Sequence, residues 1–510
     1  MASARHAAGR VRKDPPAGTS IELGARRIDI DAVRQAARGA ASVAFDDTAR
    51  KRIAAARDVI ERYAKGDVPV YGLTTGLGAA VDTKLSAADM TAFQAQAIRA
   101  RSVGVGPRMA TDAVRAMIFA RLAGLAAGRS GISQNVADAL AAMLNARIHP
   151  LVPTIGSLGA ADLAPLAHSG LVLLGQGLAE HDGEILDGKD ALQAAGLKPV
   201  TLGPKDGIAL LNCNAASTGP GALVLADARA VLDALDQAAA LSFEGFRANV
   251  SPFDPRLQTL RPAPGQTETA MRMTALLEGS LLWNKGAARR VQDPLGFRCV
   301  AQVHGAARAA LQAAIDAVEI ELNGAGDNPA VLFESGEILS NANFDVTALA
   351  LAFETLGLAL AQMANVSLDR LFKLMSPAFN DLPRFLTPIG KANNGFATTQ
   401  KTASALEAEI RHLALPVSLH TAPVADGVED YAPMTPRVVA KTGEIVDRLR
   451  FLAALELIAA AQAVDLRKLE TIGKGAREAY TVVREVCAFL DEDRPLGPDI
   501  EAVAARIAEA

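Results

Sequence analysis

The sequence predicts a mainly α-helical protein, with a long central helical bundle and a smaller N-terminal domain that carries polar loops. Three observations predict it. Half of the 510 residues are apolar but only 4% are aromatic; alanine dominates the apolar fraction, which favours helices whose backbones approach closely. Two late stretches, 344–375 and 442–468, are apolar on more than one helical face, as helices inside a bundle must be. Two early stretches, 69–82 and 149–162, interrupt the helical pattern with Gly, Pro, Ser and Thr, the residues that turns require.

In chain order, residues 1–18 carry Arg5, Arg10, Arg12 and Lys13 without an apolar run. They read as a disordered tail and not as a secretory signal. Ser20–Leu23 reads as a short strand. Asp31 is the expected N-cap of a helix over 32–38, and Asp46 or Asp47 that of a helix running to Lys65. Helices are expected at 86–101 and 111–127, and a hairpin region at 183–207. From Ile208 the pattern is nearly all helical, so the expected division is a loop-bearing domain over 19–207 and a helical bundle over 208–510.

The formal charge of −4 gives no reason to expect a nucleic acid partner. Cys213, Cys299 and Cys487 lie far apart, and the seven histidines form no metal-ligand pattern. A reducing cytoplasm and no metal are the expectation. No run of 18 uninterrupted apolar residues suggests a membrane span.

Six segments hold the residues suited to chemistry. Tyr71-Gly72-Leu73-Thr74-Thr75-Gly76-Leu77-Gly78 places a phenol at the head of a loop. Gly156-Ser157-Leu158-Gly159-Ala160-Ala161-Asp162-Leu163-Ala164-Pro165 is a sharp loop before a helix that Asp162 would cap. Asn212 ends an apolar run. Gln292-Asp293-Pro294-Leu295-Gly296-Phe297-Arg298 sets an arginine, able to grip a carboxylate bidentately, at the start of a long helix. Glu321, Asn323 and Asp327-Asn328-Pro329 precede Asn343-Phe344-Asp345. Gly427-Val428-Glu429-Asp430-Tyr431 is an acidic loop. Taken singly, each has an ordinary reading as a turn, a cap, an ion-paired arginine or a solvated loop.

Taken together and in this order, from about Ile28 to Leu469, they closely resemble the aromatic amino acid ammonia-lyases, the family of histidine, phenylalanine and tyrosine ammonia-lyases and aminomutases. The resemblance implies the ammonia-lyase/fumarase-like helical fold and a homotetramer in which each active site draws on three subunits. It implies a small amino-acid-like substrate. Tyr71 matches the loop tyrosine that removes the substrate's β-proton. Asn212 and Arg298 match the residues around the substrate carboxylate, and Gln292 the glutamine that orders that turn. Asn343 and Phe344 match the wall beside the cofactor. Glu429 aligns with a glutamate that assists elimination in histidine-type members.

The family pattern in the second loop contains Ala-Ser-Gly, which cyclises to 4-methylideneimidazol-5-one, an electrophile for the substrate. Here the segment is Gly159-Ala160-Ala161-Asp162: one residue short, with no serine in the middle. Ala161 has no β-leaving group, and Asp162 has bulk where cyclisation needs Gly. No cofactor is therefore expected. Two substrate-facing positions depart as well: Leu295 replaces a tyrosine, and Ala100-Arg101 replaces the selectivity pair. Arg101 keeps its charge and needs an anion, either an acidic distal group on a substrate or, as the favoured reading, Asp345 or Glu429. The expected activity is that of a lyase, with Tyr71 and the carboxylate clamp retained. Without the electrophile, the leaving group must be better than an unactivated amine. A binding or regulatory homologue without chemistry, and an engineered or processed variant of an ordinary histidine-type enzyme, are the alternatives.

Overall fold

The computed structural model describes residues 20–66, 68–78, 81–390 and 392–509; the basic tail lies outside them. Among the described residues, regular structure is mainly helical, and the strands form two- and three-stranded sheets. The chain divides into two compact units. One comprises the chain up to Leu223 with Glu319–Asp345 and Pro423–Tyr431; the other comprises Val224–Val318, Val346–Ala422 and Ala432–Ala510. Both are assembled from separated segments, so no single cut along the chain parts them.

In the first unit, Ser20–Leu23 forms the expected strand and pairs in parallel with Ser42–Phe45. The first helix is Ile30–Arg38 and its N-cap is Asp29, not Asp31. Asp29 is extended and accepts from the Ala32 amide, whereas Asp31 already lies in the first turn, where its charge suits the helix dipole. Asp46 caps Asp47–Tyr63, and Ser86 caps Ala87–Arg101. Thr111–Ala126 is buried on nearly every position, and its Arg115 is satisfied by the carbonyls of Ala36, Ala37 and Leu144. The hairpin comes earlier than its turn residues suggested: Leu178–His181 pairs with Glu184–Asp187, and Gly188–Ala194 is helical.

In the second unit, the long helices Thr347–Leu374 and Thr435–Leu466 pack together. The second of these starts earlier than expected, at Thr435, with Pro436 in its first turn, where a missing N–H costs nothing. Charges buried between them are matched: Arg370 Nε lies 2.6 Å from Glu456 Oε1 with both side chains fully buried, and Lys441 pairs with Glu354. Aromatic residues gather around Phe297, which stacks on Phe246 at 4.2 Å and meets Phe243 edge-on at 5.5 Å.

Among the described residues, two helical stretches are long and apolar enough to cross a bilayer by length and composition, Asp206–Phe246 and Thr347–Leu374. In its most apolar 18-residue window the first is 89% buried, as a core helix is, and the second is 50% buried. The expectation that 344–375 is covered on most sides is met only in part, because Leu351 and Leu358 stay half exposed in the single chain.

Candidate active site

The first unit brings together residues that lie up to 358 positions apart in sequence. The loop after Val70 is a wound turn: Val70 O accepts from the amides of Leu73, Thr74 and Thr75, and Thr74 Oγ1 accepts from Val70 N at 2.7 Å. Gly72 sits at φ +66°, and a Cβ there would also meet Leu77 Cδ2 at 2.9 Å. This winding turns the Tyr71 ring onto a small cluster of Leu77, Ala97 and Ile208, beside Phe93. The Tyr71 hydroxyl oxygen accepts from Gly78 N at 3.0 Å.

Gln94, fully buried, ties this loop to the next element. It donates to Gly72 O and accepts from Gly207 N at 3.0 Å. A Cβ on Gly207 would lie 2.4 Å from Gln94 O, so only glycine allows the approach. Sequence reading missed Gln94, because one glutamine inside a helix carries no signal of its own. The short helix Asp206–Leu211 then ends at Asn212, whose side chain donates to Asn328 O. Arg121 and Asp327, each 1% exposed and 2.7 Å apart, lock the 327 loop beneath that helix, and Arg121 also donates to Ala209 O. Asn343 is exposed and Phe344 half-buried; Phe344 O accepts from Asn214.

The segment Gly159-Ala160-Ala161-Asp162 is held as ordinary backbone. Ala160 makes a bridge with Asp345. Ala161 is left-handed, φ 59°, and the Asp162 amide donates to Cys213 O at 2.7 Å. Asp162 occupies the N-cap position of Leu163–Leu173, yet its side chain makes no cap hydrogen bond. It is fully buried and accepts instead from Ser157 Oγ at 2.8 Å and Ser217 N at 2.7 Å. Burial pushes its pKa up to about 6, against the pull of those donors.

Glu321 lies in the last turn of Val300–Asn323 and lines a small cavity with Arg121, Cys213, Asn214 and Thr218. Burial first, and the charge of Asp345 second, push it up to about 7.

Arg101 ends the helix Ala87–Arg101, one turn beyond Ala97 on the face that Tyr71 covers. It does not pair with Asp345 or Glu429, which corrects the favoured reading. Among the described residues its guanidinium makes one hydrogen bond, to Ala97 O at 3.3 Å, and no salt bridge. The Asp345 backbone bridges to Ala160, and the Glu429 backbone exchanges two hydrogen bonds with Val424. Glu429 is nevertheless close. Ala425 of its loop lies against Gly78, and burial lowers the Arg101 pKa, with the carboxylate of Glu429 acting in the opposite direction.

Gln292, Leu295 and Arg298 belong to the second unit. Gln292 and Leu295 are exposed. Arg298 does not open the long helix as expected; it ends the four-residue helix Leu295–Arg298 that precedes Val300–Asn323. It is half-buried and forms no salt bridge among the described residues. The turn is fixed by buried Phe297 and by Asp293, which accepts from Asn249 N at 2.6 Å.

Known proteins share much of this sequence and fold. The chain is 37% identical over 485 residues to a histidine ammonia-lyase of Alkaliphilus metalliredigens, covering 95% of this chain and 96% of that one. It is 39% identical over 486 residues to a histidine ammonia-lyase of Symbiobacterium thermophilum, covering 95% and 96%. Among solved structures it is similar to the ergothioneine-degrading ergothionase of Treponema denticola, in complex with desmethyl-ergothioneine sulfonic acid. That match has a TM-score of 0.91 at 32% identity, covering 96% of this chain and 99% of that one. The sequence profile described as aromatic amino acid lyase matches residues 28–485, and the chain belongs to that family, as a carbon–nitrogen lyase of the histidine ammonia-lyase-like kind.

Proposed function

We propose that this lyase acts on a histidine-derived betaine of the ergothioneine type and expels its nitrogen as a tertiary amine, without a methylidene-imidazolone. The observation that carries the reading is the segment Gly159-Ala160-Ala161-Asp162. The residues present do not fit the group. No serine is there to lose its hydroxyl. The amide that would have to attack the Ala160 carbonyl belongs to Asp162, which donates to Cys213 O and has its carboxylate locked between Ser157 and Ser217.

A primary amine is a poor leaving group, and the family's electrophile exists to improve it. A quaternary ammonium needs no such help: it takes the electron pair of the breaking C–N bond and departs as a neutral amine. Ergothioneine is such a betaine, and the similar ergothionase acts on it by name. In this reading Tyr71, as phenolate, accepts the β-proton from the substrate. The C–H electrons become the new double bond, and the C–N pair leaves with trimethylamine. Arg298 and Asn212 hold the carboxylate, with Gln292 ordering the turn; Asn343 and Phe344 wall the site; and Glu429 supplies negative charge for the cationic nitrogen. Leu295, in place of a phenol, adds an apolar surface. The assembly is a homotetramer in which Tyr71 and Arg298 of one site come from different subunits. The half-exposed Leu351 and Leu358 on Thr347–Leu374 support burial of that helix in an assembly.

The test is direct. Purified protein is given ergothioneine and, separately, histidine, and amine release is measured alongside intact mass and light-scattering mass. Trimethylamine from ergothioneine, no ammonia from histidine, the encoded mass and a tetramer are expected. A mass lower by two waters, about 36 Da from the cyclisation stoichiometry, or rapid ammonia release from histidine, would overturn the reading. Binding of either compound without turnover would make the chain a binding homologue.

A further inference from the structure

The loop from Trp283 to Val291, in the second unit, forms part of a cleft that Gln292, Leu295 and Arg298 do not line. Its volume is ≈ 650 Å³, within the range of small-molecule sites. Hydrogen bonds fix the loop along its length. Trp283 Nε1 donates to Leu277 O at 2.8 Å, and Arg247 donates to Ala287 O at 3.1 Å. Arg289 N donates to Arg247 O at 3.0 Å, and Asn249 Nδ2 donates to Val291 O at 2.9 Å. These bonds pre-form the wall of the cleft, which lowers the cost of binding there.

The lining has a cationic part and an apolar part. Lys285, Arg289 and Arg290 supply the first, and Val250, Phe253 and Trp283 the second. Among the described residues, none of the three cations forms a salt bridge. The neighbouring carboxylates are taken. Asp254, which also lines the cleft, is held by Arg256 through three side-chain hydrogen bonds. Asp381 pairs with Arg467, and buried Asp293 accepts from Asn249 N. Arg290 donates to Ala378 O at 3.1 Å. Arg289 is half-buried over the Phe246 ring, and its Nε and Nη2 are shielded from solvent with no hydrogen-bond partner. Burial first, and the charge of Arg290 second, push its pKa down. A guanidinium in that state gains from an anion.

We propose that this cleft binds a small phosphate monoester, with the phosphate among Lys285, Arg289 and Arg290 and the apolar or aromatic part of the ester along Val250, Phe253 and Trp283. A phosphate dianion matches three cations better than a single carboxylate does, and its oxygens suit the guanidinium fork. The apolar lining is what distinguishes an ester from the bare ion. The inference is independent of the elimination chemistry proposed above.

Trp283 is the chain's only tryptophan, so its emission reports on this cleft. The full-length protein is titrated with phenyl phosphate, inorganic phosphate and phenol at constant ionic strength. Tryptophan emission and calorimetry are read together, with melting temperatures as a check on folding. Saturable binding of phenyl phosphate that changes the Trp283 emission is expected, at least about fivefold tighter than inorganic phosphate or phenol. Arg289→Gln should weaken it at least about tenfold. Lys285→Gln, at an exposed side chain, should weaken it about two- to fivefold, and this variant carries the test should Arg289→Gln fail to fold. No saturable binding, binding that leaves the emission unchanged, or unchanged affinity in the folded variants overturns the proposal. Inorganic phosphate binding as tightly as phenyl phosphate also overturns it, because the cleft would then be only a patch of surface cations.

Discussion

Between the long helices of the second unit, Arg370 and Glu456 are both fully buried and meet through two hydrogen bonds, with Ser242 and Ser367 completing the carboxylate. His304 and Asp236 meet at 2.6 Å, also fully buried. In the loop cluster of the first unit, Arg101 is half-buried beside Tyr71 and lacks a salt bridge. Burying a charge is costly, and its partner must be in place for the fold to form. The helical region obeys that rule within the chain. The loop cluster obeys it for Arg121 with Asp327, which hold the loops, and departs from it at Arg101.

Four measurements can break or sharpen this contrast. The largest effect is expected at Tyr71→Phe, which removes the hydroxyl that meets Gly78 N while leaving the ring in its cluster. Loss of the base should lower turnover by about 10²- to 10⁴-fold, with the melting temperature nearly unchanged. Near-wild-type turnover would take the chemistry out of this loop cluster.

Next comes Arg370→Ala, which strands Glu456 in the core. A destabilisation of about 3–5 kcal/mol is expected in chemical denaturation, against under about 1 kcal/mol for Arg101→Gln. Equal losses would erase the distinction between the two arginines. The double change Arg370→Met with Glu456→Leu should recover most of the loss.

Asp162→Asn is expected to cost roughly 1–3 kcal/mol, because an amide cannot accept from both Ser157 Oγ and Ser217 N as the carboxylate does. A stabilised variant would mean that the charge costs more than its hydrogen bonds return.

The smallest effect is a pH dependence at Glu321. Its folded pKa, about 7, lies above the ordinary 4.5. The folded state therefore holds the proton more tightly than the unfolded chain. That stabilisation is complete below the ordinary value and is lost as pH rises through about 7. Glu321→Gln cannot titrate, so denaturation midpoints compared at about pH 5 and about pH 8 should show the variant gaining on the wild type at the higher pH. An equal offset at both would place Glu321 in an environment as wet as the surface.

Much was legible from local pattern. Ser20–Leu23 and the helices over 47–63 and 87–101 were readable, the first with Asp46 or Asp47 as its cap, because caps and periodicity act within a few residues. The choice between Asp29 and Asp31 was not, since both residue types suit an N-cap and only the backbone angles decide. The hairpin register was shifted for a related reason: Gly183 marks its turn, but the strand before that turn, Leu178–His181, looks like the tail of a helix. Gln94 had no local signature, because its role exists only once Gly72 and Gly207 arrive on either side of it.

By itself, then, the sequence determined that the protein is mainly helical, that its candidate site residues lie on loops and helix ends, and that Ala160-Ala161-Asp162 lacks the serine of the family pattern. These follow from residue identity and short-range spacing. Only the tertiary structure decided which charges meet. It kept Arg101 out of salt-bridge reach of Asp345 and Glu429, drew the Asp162 carboxylate away from its own helix to Ser157 and Ser217, and interleaved the two units along the chain. The physical reason is that an ion pair or hydrogen bond depends on separations of a few ångströms between segments tens to hundreds of residues apart, and packing, not sequence proximity, sets those separations.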